Sequence, residues 1–422
     1  MLDLKLIREN PSIIKEKLST RGDGAAYVDK ILQLDIERRE CIGKAEGLKS
    51  LRNTVSAEIA KMKKAGEDAS GKIAEMKKVS DDIKSLDEKL SVIEKDINEI
   101  LINIPNIPAD GIPVGKTADE NIEVRQWGEK LNGDFKYLDH VELGKKHDIL
   151  NFETGAKISG SGFPFYKGKG AILERALINF MLDSHRVNGY TEVFMPFLVN
   201  RASMEAAEKV PKFEDDMYRI DSDDLFAIPT AEVPILNIHR DEILKYDDLP
   251  IKYCGYTACF RREAGSYGRD LRGLLRVHQF NKVELINFCT PETSYDEMEK
   301  MLLNACGILE ALNIHYRILD ICTGDMGFAG SKQYDIETWS PAENKFLEAS
   351  SVTNCTDFQS RRAMVRFKRP DQKGTEYIHI LNGSGLATSR LMVSLLESYQ
   401  TPDGKIIVPK VLHKYTGFET IG

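Results

Sequence analysis

The sequence predicts an α+β protein in which an antiparallel helical arm precedes a mainly antiparallel β-sheet flanked by helices. Residues 25–101 contain no proline and repeat apolar residues in steps of three and four, as helices of a coiled coil do. From residue 117 to the C-terminus, strand-like and helix-like runs alternate, but few short crossover units join them. That arrangement favours antiparallel pairing over a doubly wound parallel sheet.

Composition limits the class of protein. A chain of 422 residues accommodates two or three domains, and a net charge of −8 argues against nucleic-acid binding by the whole surface. The seven cysteines form no CxxC pair, so we expect reduced, mostly buried thiols. The first residues contain no apolar signal region, and nowhere do 18 apolar residues run together. We therefore expect a cytoplasmic protein with no membrane partner.

The N-terminal region, residues 1–101, is predicted to be one helical domain. Asn10-Pro11 interrupts a short helical lead, and the arm occupies about 25–101. Gly66 and Gly71 separate two long helices, so the hairpin turns near 64–71 and projects roughly 50 Å at 1.5 Å per residue. The predicted seam consists of Leu48, Leu51, Val55, Ile59 and Met62 on the first helix and Val79, Ile83, Leu86, Leu90, Ile93, Ile97 and Ile100 on the second.

The far end of the arm is rich in lysine. A basic end on a rigid arm suits a nucleic-acid backbone. A solvated coiled-coil face explains the same charges, and on pattern alone this second interpretation is favoured. The lysines are Lys61, Lys63, Lys64, Lys72, Lys77 and Lys78.

A Pro/Gly-rich linker at 102–116 separates the arm from a second domain at 117–422. In that domain no GxGxxG or GxxxxGK[ST] motif is present, so the common phosphate-binding loops are absent. Apolar periodicity predicts strands at 225–228, 252–260, 282–288 and 377–381 and helices at 173–186, 295–312 and 386–398.

The segment 260–284, FRREAGSYGRDLRGLLRVHQFNKVE, contains five arginines and three glycines. Arginine forks bind phosphates bidentately, and glycines let backbone amides approach them closely. We predict a strand that ends in Arg261 and Glu263, a loop, and a return strand that carries Val277 and Phe280 and ends in Glu284. Such a hairpin is suited to bind a nucleotide.

Three further segments carry candidate site residues. Thr230 and Glu232 lie on the same side of a predicted extended turn, where they could hold an ammonium or a small polar side chain; a turn with a local hydroxyl hydrogen bond is the alternative. Glu348 precedes two serines and suits Mg²⁺, which binds through one or two carboxylates and phosphates. Ser384 is predicted in a glycine turn, and Arg390 on the helix that follows.

In this order the segments resemble the seryl-tRNA synthetases, a branch of the class II aminoacyl-tRNA synthetases. Residues 188–199 resemble the first class motif, with Pro196 at a dimer interface. Residues 260–284 resemble the second motif, and 383–397 resemble the third. The TAE triplet at 230–232 is typical of the seryl branch. The resemblance covers nearly the whole chain and implies the class II fold, with the antiparallel sheet flanked by helices.

The resemblance also implies roles for single residues. Thr230, Ala231 and Glu232 would line the serine site, Glu284 would hold the serine ammonium, and Ser384 would contact the substrate. Arg261 would bind both the α-phosphate and the serine carboxylate, and Arg390 the γ-phosphate; with Glu284 they are the catalytic assignments. Glu348 would also face Mg²⁺. The ATP site would comprise Arg261, Arg262, Glu263, Val277, Phe280, Glu348, Ala349, Ser350, Ser351 and Arg390.

The implied activity is that of a serine–tRNA ligase, which uses ATP to activate L-serine and then charges tRNA(Ser). The sequence leaves open whether tRNA(Sec) is also charged. The implied assembly is a homodimer whose lysine-rich arm contacts the tRNA. Two alternatives are a class II paralogue that loads a carrier protein and a non-catalytic nucleotide-binding coiled-coil scaffold. Tyr267 and Leu271 depart from the usual second motif, which leaves the contacts of that loop undecided.

Overall fold

The computed structural model describes residues 1–131, 133–264 and 272–422. The chain divides into two compact units, Met1–Pro105 and Asn106–Gly422. The predicted linker therefore spans the boundary between them. Its second part is integrated in the second unit, because the Asn106 side-chain amide donates to the carbonyl oxygens of Ala329 and Cys355, each at 2.9 Å. No helix in the described ranges is long and apolar enough to cross a membrane.

The first unit consists of short helices followed by a long hairpin. Pro11 occupies the first turn of a helix, where its missing N–H costs nothing. Gly66 ends the first long helix in the left-handed conformation, with φ 76°, and its N–H bonds back to the last turn. The helices are α1 (Leu4–Glu9), α2 (Pro11–Ser19), α3 (Ala26–Ala65) and α4 (Ser70–Leu101).

Apolar side chains between α3 and α4 form the predicted seam, with one exception. Met76, Val79 and Ile83 are buried, and Leu48, Val55 and Ile59 pack against them. Leu51 was predicted in the seam, but it is 44% exposed. The reason is register: Leu48 and Val55 are seven residues apart, and the inward position between them falls four residues after Leu48, at Arg52.

The second unit is an antiparallel sheet flanked by helices, as predicted. The helices are α5 (His140–Lys146), α6 (Phe152–Ser159), α7 (Lys169–Val187), α8 (Arg201–Ala206), α9 (Glu232–Leu236), α10 (Ser294–Ala311), α11 (Phe358–Ala363), α12 (Thr388–Ser398) and α13 (His413–Thr416). The strands are β1 (Ile122–Trp127), β2 (Thr191–Glu192), β3 (Leu198–Asn200), β4 (Tyr218–Ile220), β5 (Leu225–Ala227), β6 (Ile243–Lys245), β7 (Ile251–Phe260), β8 (Gln279–Cys289), β9 (Tyr316–Asp320), β10 (Lys332–Ser340), β11 (Lys345–Asn354), β12 (Arg366–Lys368), β13 (Glu376–Tyr377), β14 (His379–Ala387), β15 (Ile406–Ile407) and β16 (Thr420–Ile421).

Eight of the described strands form the main sheet in the order β1-β9-β10-β11-β14-β8-β7-β2. These described strands pair antiparallel with their neighbours, except that β2 is parallel to β7 at one edge. Strand β8 alternates between two apolar cores: Val283 and Leu285 face one, and Ile286 and Phe288 face the other. Because alternate residues of a strand share a face, Glu284 lies on the side of Ile286 and Phe288, which also packs against α9.

Two sequence predictions about strand ends are wrong. The return strand does not end at Glu284 but continues to Cys289, because β8 pairs along its length with β7 and β14. Val277 precedes this strand rather than lying on it.

The predicted glycine turn around Ser384 is a strand. Glycine serves close packing here rather than a turn: a Cβ on Gly383 would lie 2.9 Å from the Met301 sulfur, and one on Gly385 would lie 2.5 Å from Nε2 of His185. Ser384 therefore pairs with Glu284 across β14 and β8.

Candidate active site

Two adjoining cavities open on the face of the sheet where β7, β8, β11 and β14 meet. Their volumes are about 500 Å³ and 290 Å³. The residues shared by the two walls are Arg261, Glu263, Arg276, Lys282, Glu348 and Ser384. The cavities therefore form one continuous site with two compartments, which we call the larger and the smaller cavity.

The structure brings most predicted site residues to these walls. Ala231 and Arg262 line neither cavity; Ala231 is fully buried at the start of α9, and the Arg262 amide donates to the Asp216 carbonyl at 3.0 Å. The larger cavity is lined by Thr230, Glu232, Arg261, Glu263, Glu284, Glu348, Ser351 and Ser384. The smaller is lined by Arg261, Glu263, Val277, Phe280, Glu348, Ala349, Ser350, Ser384 and Arg390.

Thr230, Lys282 and Glu284 form a buried triangle in the larger cavity. The Thr230 hydroxyl donates to Glu284 Oε2 at 2.9 Å and accepts from Lys282 Nζ at 2.7 Å. Lys282 also forms an ion pair with Glu284 Oε2. The Thr230 oxygen additionally accepts the Glu232 amide at 3.1 Å, so the local turn bond and the site contact are both present. In the described contacts, both donors to Glu284 bind its Oε2, and Glu284 lines the larger cavity.

Glu232 begins α9 and is held from three sides. Lys209 Nζ lies 2.9 Å from its Oε2. The side-chain amides of Gln359 and Asn382 donate to its Oε1 at 2.6 and 3.1 Å. Because three donors converge on this carboxylate, its rotamer is fixed before any substrate binds.

Glu232 and Glu284, two of the carboxyl groups that line the larger cavity, differ in acidity. Burial raises the pKa of Glu284, although Lys282 opposes the shift. Burial would also raise the pKa of Glu232, but the Lys209 ion pair and the hydrogen bonds from Lys209 and Gln359 outweigh it and hold the pKa below its usual value. Glu232 is thus the more strongly ionised of the two.

Arg261 lies on the wall between the cavities, directly after β7. Its Nε donates to the Pro229 carbonyl at 3.2 Å, and its guanidinium carbon lies 5.1 Å from the Phe280 ring centre. Glu263 forms an ion pair with Arg276. That pair closes the base of the hairpin from which 265–271 depart.

Arg390 and Glu348 meet in the smaller cavity. Arg390 Nη1 donates to the Glu348 carbonyl at 2.8 Å and to its carboxylate at 3.2 Å. On the neighbouring strand, burial and the Glu348 charge raise the pKa of Asp335 to about 8. Glu348 lines both cavities, so its carboxylate could contact a cation bound to phosphates. No cluster of three or more His, Cys, Asp or Glu ligands occurs in the described ranges, but Mg²⁺ needs only one or two carboxylates when phosphates supply the rest.

An irregularity in β14 separates the residues of the two cavities. Its register against β8 shifts between Ser384 and Ala387. The backbone groups released there are bound by α7, because His185 Nε2 donates to the Gly385 carbonyl at 2.6 Å and the Leu386 amide lies 3.3 Å from the Met181 sulfur. His185 is therefore present as the Nε2–H tautomer, and it fixes the spacing between Ser384 and the start of α12.

Sequence reasoning missed Lys209, Lys282 and Asn382, which line the larger cavity, and Gln359, which donates to Glu232. Lys282 and Asn382 lie two residues before Glu284 and Ser384 on the same strands, so strand alternation could have identified both. Lys209 and Gln359 lie 23 and 127 residues from Glu232, and no local pattern connects them. The predicted positions Tyr267, Arg269 and Leu271 lie outside the described residues.

The arm lysines belong to the first unit. Lys61, Lys63, Lys64, Lys77 and Lys78 are exposed near the turn of the hairpin. Lys72 is different, because it forms an ion pair with Glu58 across the two helices. Five of the six predicted lysines are thus placed where a polyanion could reach them, and their role stays a prediction.

Comparison with known proteins identifies the family. The model of the tRNA synthetase class II core domain (G, H, P, S and T) matches residues 212–399, and that of the Seryl-tRNA synthetase N-terminal domain matches residues 1–108. Curated relatives named Serine--tRNA ligase from Chloroherpeton thalassium and Chlorobaculum parvum are 54% and 55% identical, with 100% of each chain covered. The chain belongs to the seryl-tRNA synthetase family.

Solved structures of the family agree with the fold described above. Seryl-tRNA synthetase from Pyrococcus horikoshii, complexed with ATP, matches with a TM-score of 0.95 at 39% identity, over 100% of this chain and 99% of that one. Cytoplasmic Serine-tRNA ligase from Naegleria fowleri, in complex with AMP, matches at 0.90 and 32% identity, over 100% and 98%. The family resemblance and the fold class predicted from the sequence are confirmed.

Proposed function

We propose that the protein activates L-serine with ATP and transfers the serine to tRNA(Ser). The observation that carries this proposal is the pair of buried carboxyl groups, Glu232 and Glu284, which face one cavity beside Ser384. Arg261 lies on the wall that this cavity shares with a second one suited to a nucleotide. An amino acid in the first compartment would therefore meet the α-phosphate of a nucleotide in the second.

Serine fits the larger cavity through all its polar groups. The ammonium is assigned to Glu284, which lines this cavity, with Glu232 as a second negative charge. Ser384 pairs with Glu284 across the strands and lies at the junction of the cavities, so its side chain would contact the substrate. The carboxylate of serine would bind Arg261. Thr230 positions Glu284 rather than facing solvent, since it is almost fully buried.

ATP fits the smaller cavity. The adenine would lie on Phe280 beside Val277, with its amine near Glu263, while Arg261 and Arg390 would bind the α- and γ-phosphates. Glu348 and Ser351 would hold Mg²⁺, which when bound neutralises charge on the phosphates. Val277 and Phe280, which are assigned to the adenine, line this cavity. The arginines assigned to the phosphates, Arg261 and Arg390, line it as well.

The chemistry requires no protein nucleophile. A serine carboxylate oxygen attacks the α-phosphorus, a P–O bond forms, and pyrophosphate leaves with the electrons of the broken P–O bond. A terminal ribose hydroxyl of tRNA then attacks the activated carbonyl, loses its proton and releases AMP. Both steps depend on positioning and on neutralisation of phosphate charge, which Arg261 and Arg390 supply.

Selectivity for serine follows from the buried polar groups that line the larger cavity. Alanine would leave the groups that bind the serine hydroxyl unpaired, at a cost of about 1–3 kcal/mol for each buried group. Threonine adds a methyl group that the walls must exclude by contact. Serine should therefore be preferred over alanine and glycine through lost hydrogen bonds, and over threonine through size.

The test is pyrophosphate exchange dependent on the amino acid, measured with serine, threonine, alanine and glycine. We expect robust exchange with serine and at least about tenfold lower kcat/KM with each of the others. Equal exchange with threonine or alanine would contradict the assignment. Charging of tRNA(Ser) and tRNA(Sec) by the same preparation tests whether selenocysteine tRNA is a second acceptor.

The arm is assigned to tRNA binding, supported by the exposed lysines near its turn. Deletion of residues 35–95 should leave serine-dependent exchange within about twofold of the full chain and abolish tRNA charging. Equal charging by the shortened protein would show that the lysines only solvate a coiled coil. A charge-preserving control replaces Lys63 and Lys64 by arginine, which should retain charging.

We also propose a cytoplasmic homodimer. The segment 188–199 resembles the dimerisation motif of the class, and within it Phe194 is 84% exposed. An exposed aromatic side chain of this size suits a protein interface. Light scattering should give twice the mass of one chain, and Phe194→Asp should lower it; a monomeric mass for the unmodified protein would contradict the proposal.

A further inference from the structure

A buried polar cluster lies at the wall of the larger cavity, behind the α9 end of the site. It consists of Glu208, Lys209, Glu232 and Gln359, and we call it the lysine–carboxylate cluster. Lys209 Nζ lies 2.9 Å from Glu232 Oε2. The Gln359 amide donates to both acids, at 2.6 Å to Glu232 and 3.2 Å to Glu208. Two carboxyl groups thus share one amide, and Glu232 also binds the ammonium, in a site with little water access.

Glu232 and Glu208 differ in the number of hydrogen-bond donors that contact them. Glu232 accepts from Lys209, Gln359 and Asn382, whereas the Gln359 amide is the donor to Glu208 among the described residues. Within that part of the chain the other oxygen of Glu208, Oε1, is buried without a hydrogen-bond partner. An ionised carboxylate with an unpartnered buried oxygen is costly, so the negative charge belongs on Glu232.

We propose that Lys209 decides which of these two acids is charged, keeping Glu232 ionised towards the substrate ammonium while Glu208 retains a proton. Lys209 is then a positioning residue for serine binding, because it acts through Glu232 and does not touch the reacting atoms. The inference rests on the proposed function. It adds Lys209, which was not among the predicted site residues, to the residues that determine recognition of the α-amino group.

The charges around the pair support this division. Burial raises the pKa of Glu208, while Lys209 and Gln359 hold the pKa of Glu232 below its usual value. Burial lowers the pKa of Lys209, but the charge of Glu232 and the hydrogen bond to it raise the pKa above its usual value, so the ammonium persists at neutral pH. The charged or titratable groups that act on this cluster include Lys282, Glu284, Arg261, Arg362 and Cys355.

The primary test replaces Lys209 by Met, which keeps the length and removes the charge. In Lys209→Met we expect the KM for serine in pyrophosphate exchange to rise at least about tenfold at neutral pH, with the KM for ATP unchanged. Burial then raises the pKa of Glu232 against fewer opposing contacts, so the serine defect should shrink as the pH is raised towards 9. Lys209→Arg, which keeps the charge, should restore the unmodified pH profile.

A second readout is independent of the amount of folded protein. Serine is compared with 3-hydroxypropionate, the same molecule without its ammonium, as the ratio of the inhibitor Ki to the serine KM in one preparation. The ratio should be large in the unmodified enzyme and in Lys209→Arg, and at least about tenfold smaller in Lys209→Met. An unchanged ratio together with an unshifted pH profile in Lys209→Met would overturn the inference.

If Lys209→Met does not fold, Glu208→Gln decides the matter, because glutamine has the shape of the protonated acid. Whatever its effect on kcat, this variant must leave the acid limb of the serine pH profile in place, and a displaced limb would overturn the inference. The proposed function fails separately: it is refuted if the unmodified enzyme shows no serine-dependent exchange, and no property of a variant can produce that result.

Discussion

The two cavities differ in how exposed their ion pairs are. In the larger cavity the ion pair of Lys282 and Glu284 is buried, with side chains 8% and 3% exposed. In the smaller cavity the pair of Arg390 and Glu348 is partly open, at 31% and 49%. Buried pairs are expensive to break, whereas exposed pairs contribute little. The larger cavity is therefore preorganised, and the smaller one holds charges that can exchange partners.

This difference matches the two ligands. A small amino acid offers few groups, so its site must present fixed partners and lose little entropy on binding. A triphosphate carries several negative charges, and it can draw Arg390 away from Glu348 at small cost. Glu348 would then be released to face the cation that accompanies the phosphates. On the proposed assignment, the serine side is preorganised, whereas the ATP side must rearrange when ATP binds.

The largest expected effect is in the larger cavity. Glu284→Ala removes one partner of a buried pair and leaves Lys282 uncompensated, a change worth about 3–5 kcal/mol. We expect serine-dependent pyrophosphate exchange to fall at least about 100-fold while the protein stays folded, because the site is a small part of the core. Normal exchange in this variant, with an unchanged tryptophan fluorescence spectrum, would contradict both the pair and the ammonium assignment.

His185, which binds the irregular part of β14, should contribute to stability in a pH-dependent way. Burial lowers the pKa of His185 to about 4, from 6.5 in the unfolded chain. A depressed pKa means that the unfolded state binds more protons, so this contribution is present above pH 6.5 and is lost as the pH falls towards 4. The full difference is about 3 kcal/mol.

Urea unfolding followed by tryptophan fluorescence measures this effect, since both tryptophans, Trp127 and Trp339, lie in the second unit. His185→Gln keeps a donor for the Gly385 carbonyl but cannot titrate. Between pH 6.5 and 4 its midpoint should fall less steeply than that of the unmodified chain. Parallel curves for the two proteins would show that His185 does not titrate on unfolding.

The smallest effect is expected in the open cavity. Arg390→Ala should raise the KM for ATP about tenfold and leave the KM for serine unchanged. It should change the free energy of unfolding in urea by less than about 0.5 kcal/mol. Added salt should weaken ATP binding in the unmodified enzyme more than serine binding, because open charges are screened. Equal changes in both KM values would remove the distinction between the cavities.

The fold was largely predictable because its signals are local. The apolar repeat of the arm, Gly66 at its turn and the run from Lys252 to Phe260 each follow from spacing along a short segment. Errors arose where spacing allowed two solutions. Leu51 and Arg52 are adjacent, and only the packing of α3 on α4 selects between them. Glycines around Ser384 indicate a turn by composition, and only neighbouring side chains show that they permit a tightly packed strand.

The site was predictable only in part, for a related reason. Thr230, Arg261 and Glu284 occur in motifs whose order resembles a known family, so they were recognised together. Lys209 and Gln359 act on Glu232 from distant positions in the chain, and their importance exists only once the fold brings them together. A sequence can thus point to the residues that face a ligand more easily than to those that hold them in place.

The most direct test of the two-cavity assignment is a structure with a non-hydrolysable sulfamoyl analogue of seryl-adenylate. We expect its amino group within hydrogen-bond distance of Glu284 Oε1, with Thr230 and Lys282 unmoved. The adenine should lie against Phe280, and the ion pair of Arg390 with Glu348 should be altered. An adenine in the larger cavity, or an amino group remote from both Glu284 and Glu232, would contradict the assignment.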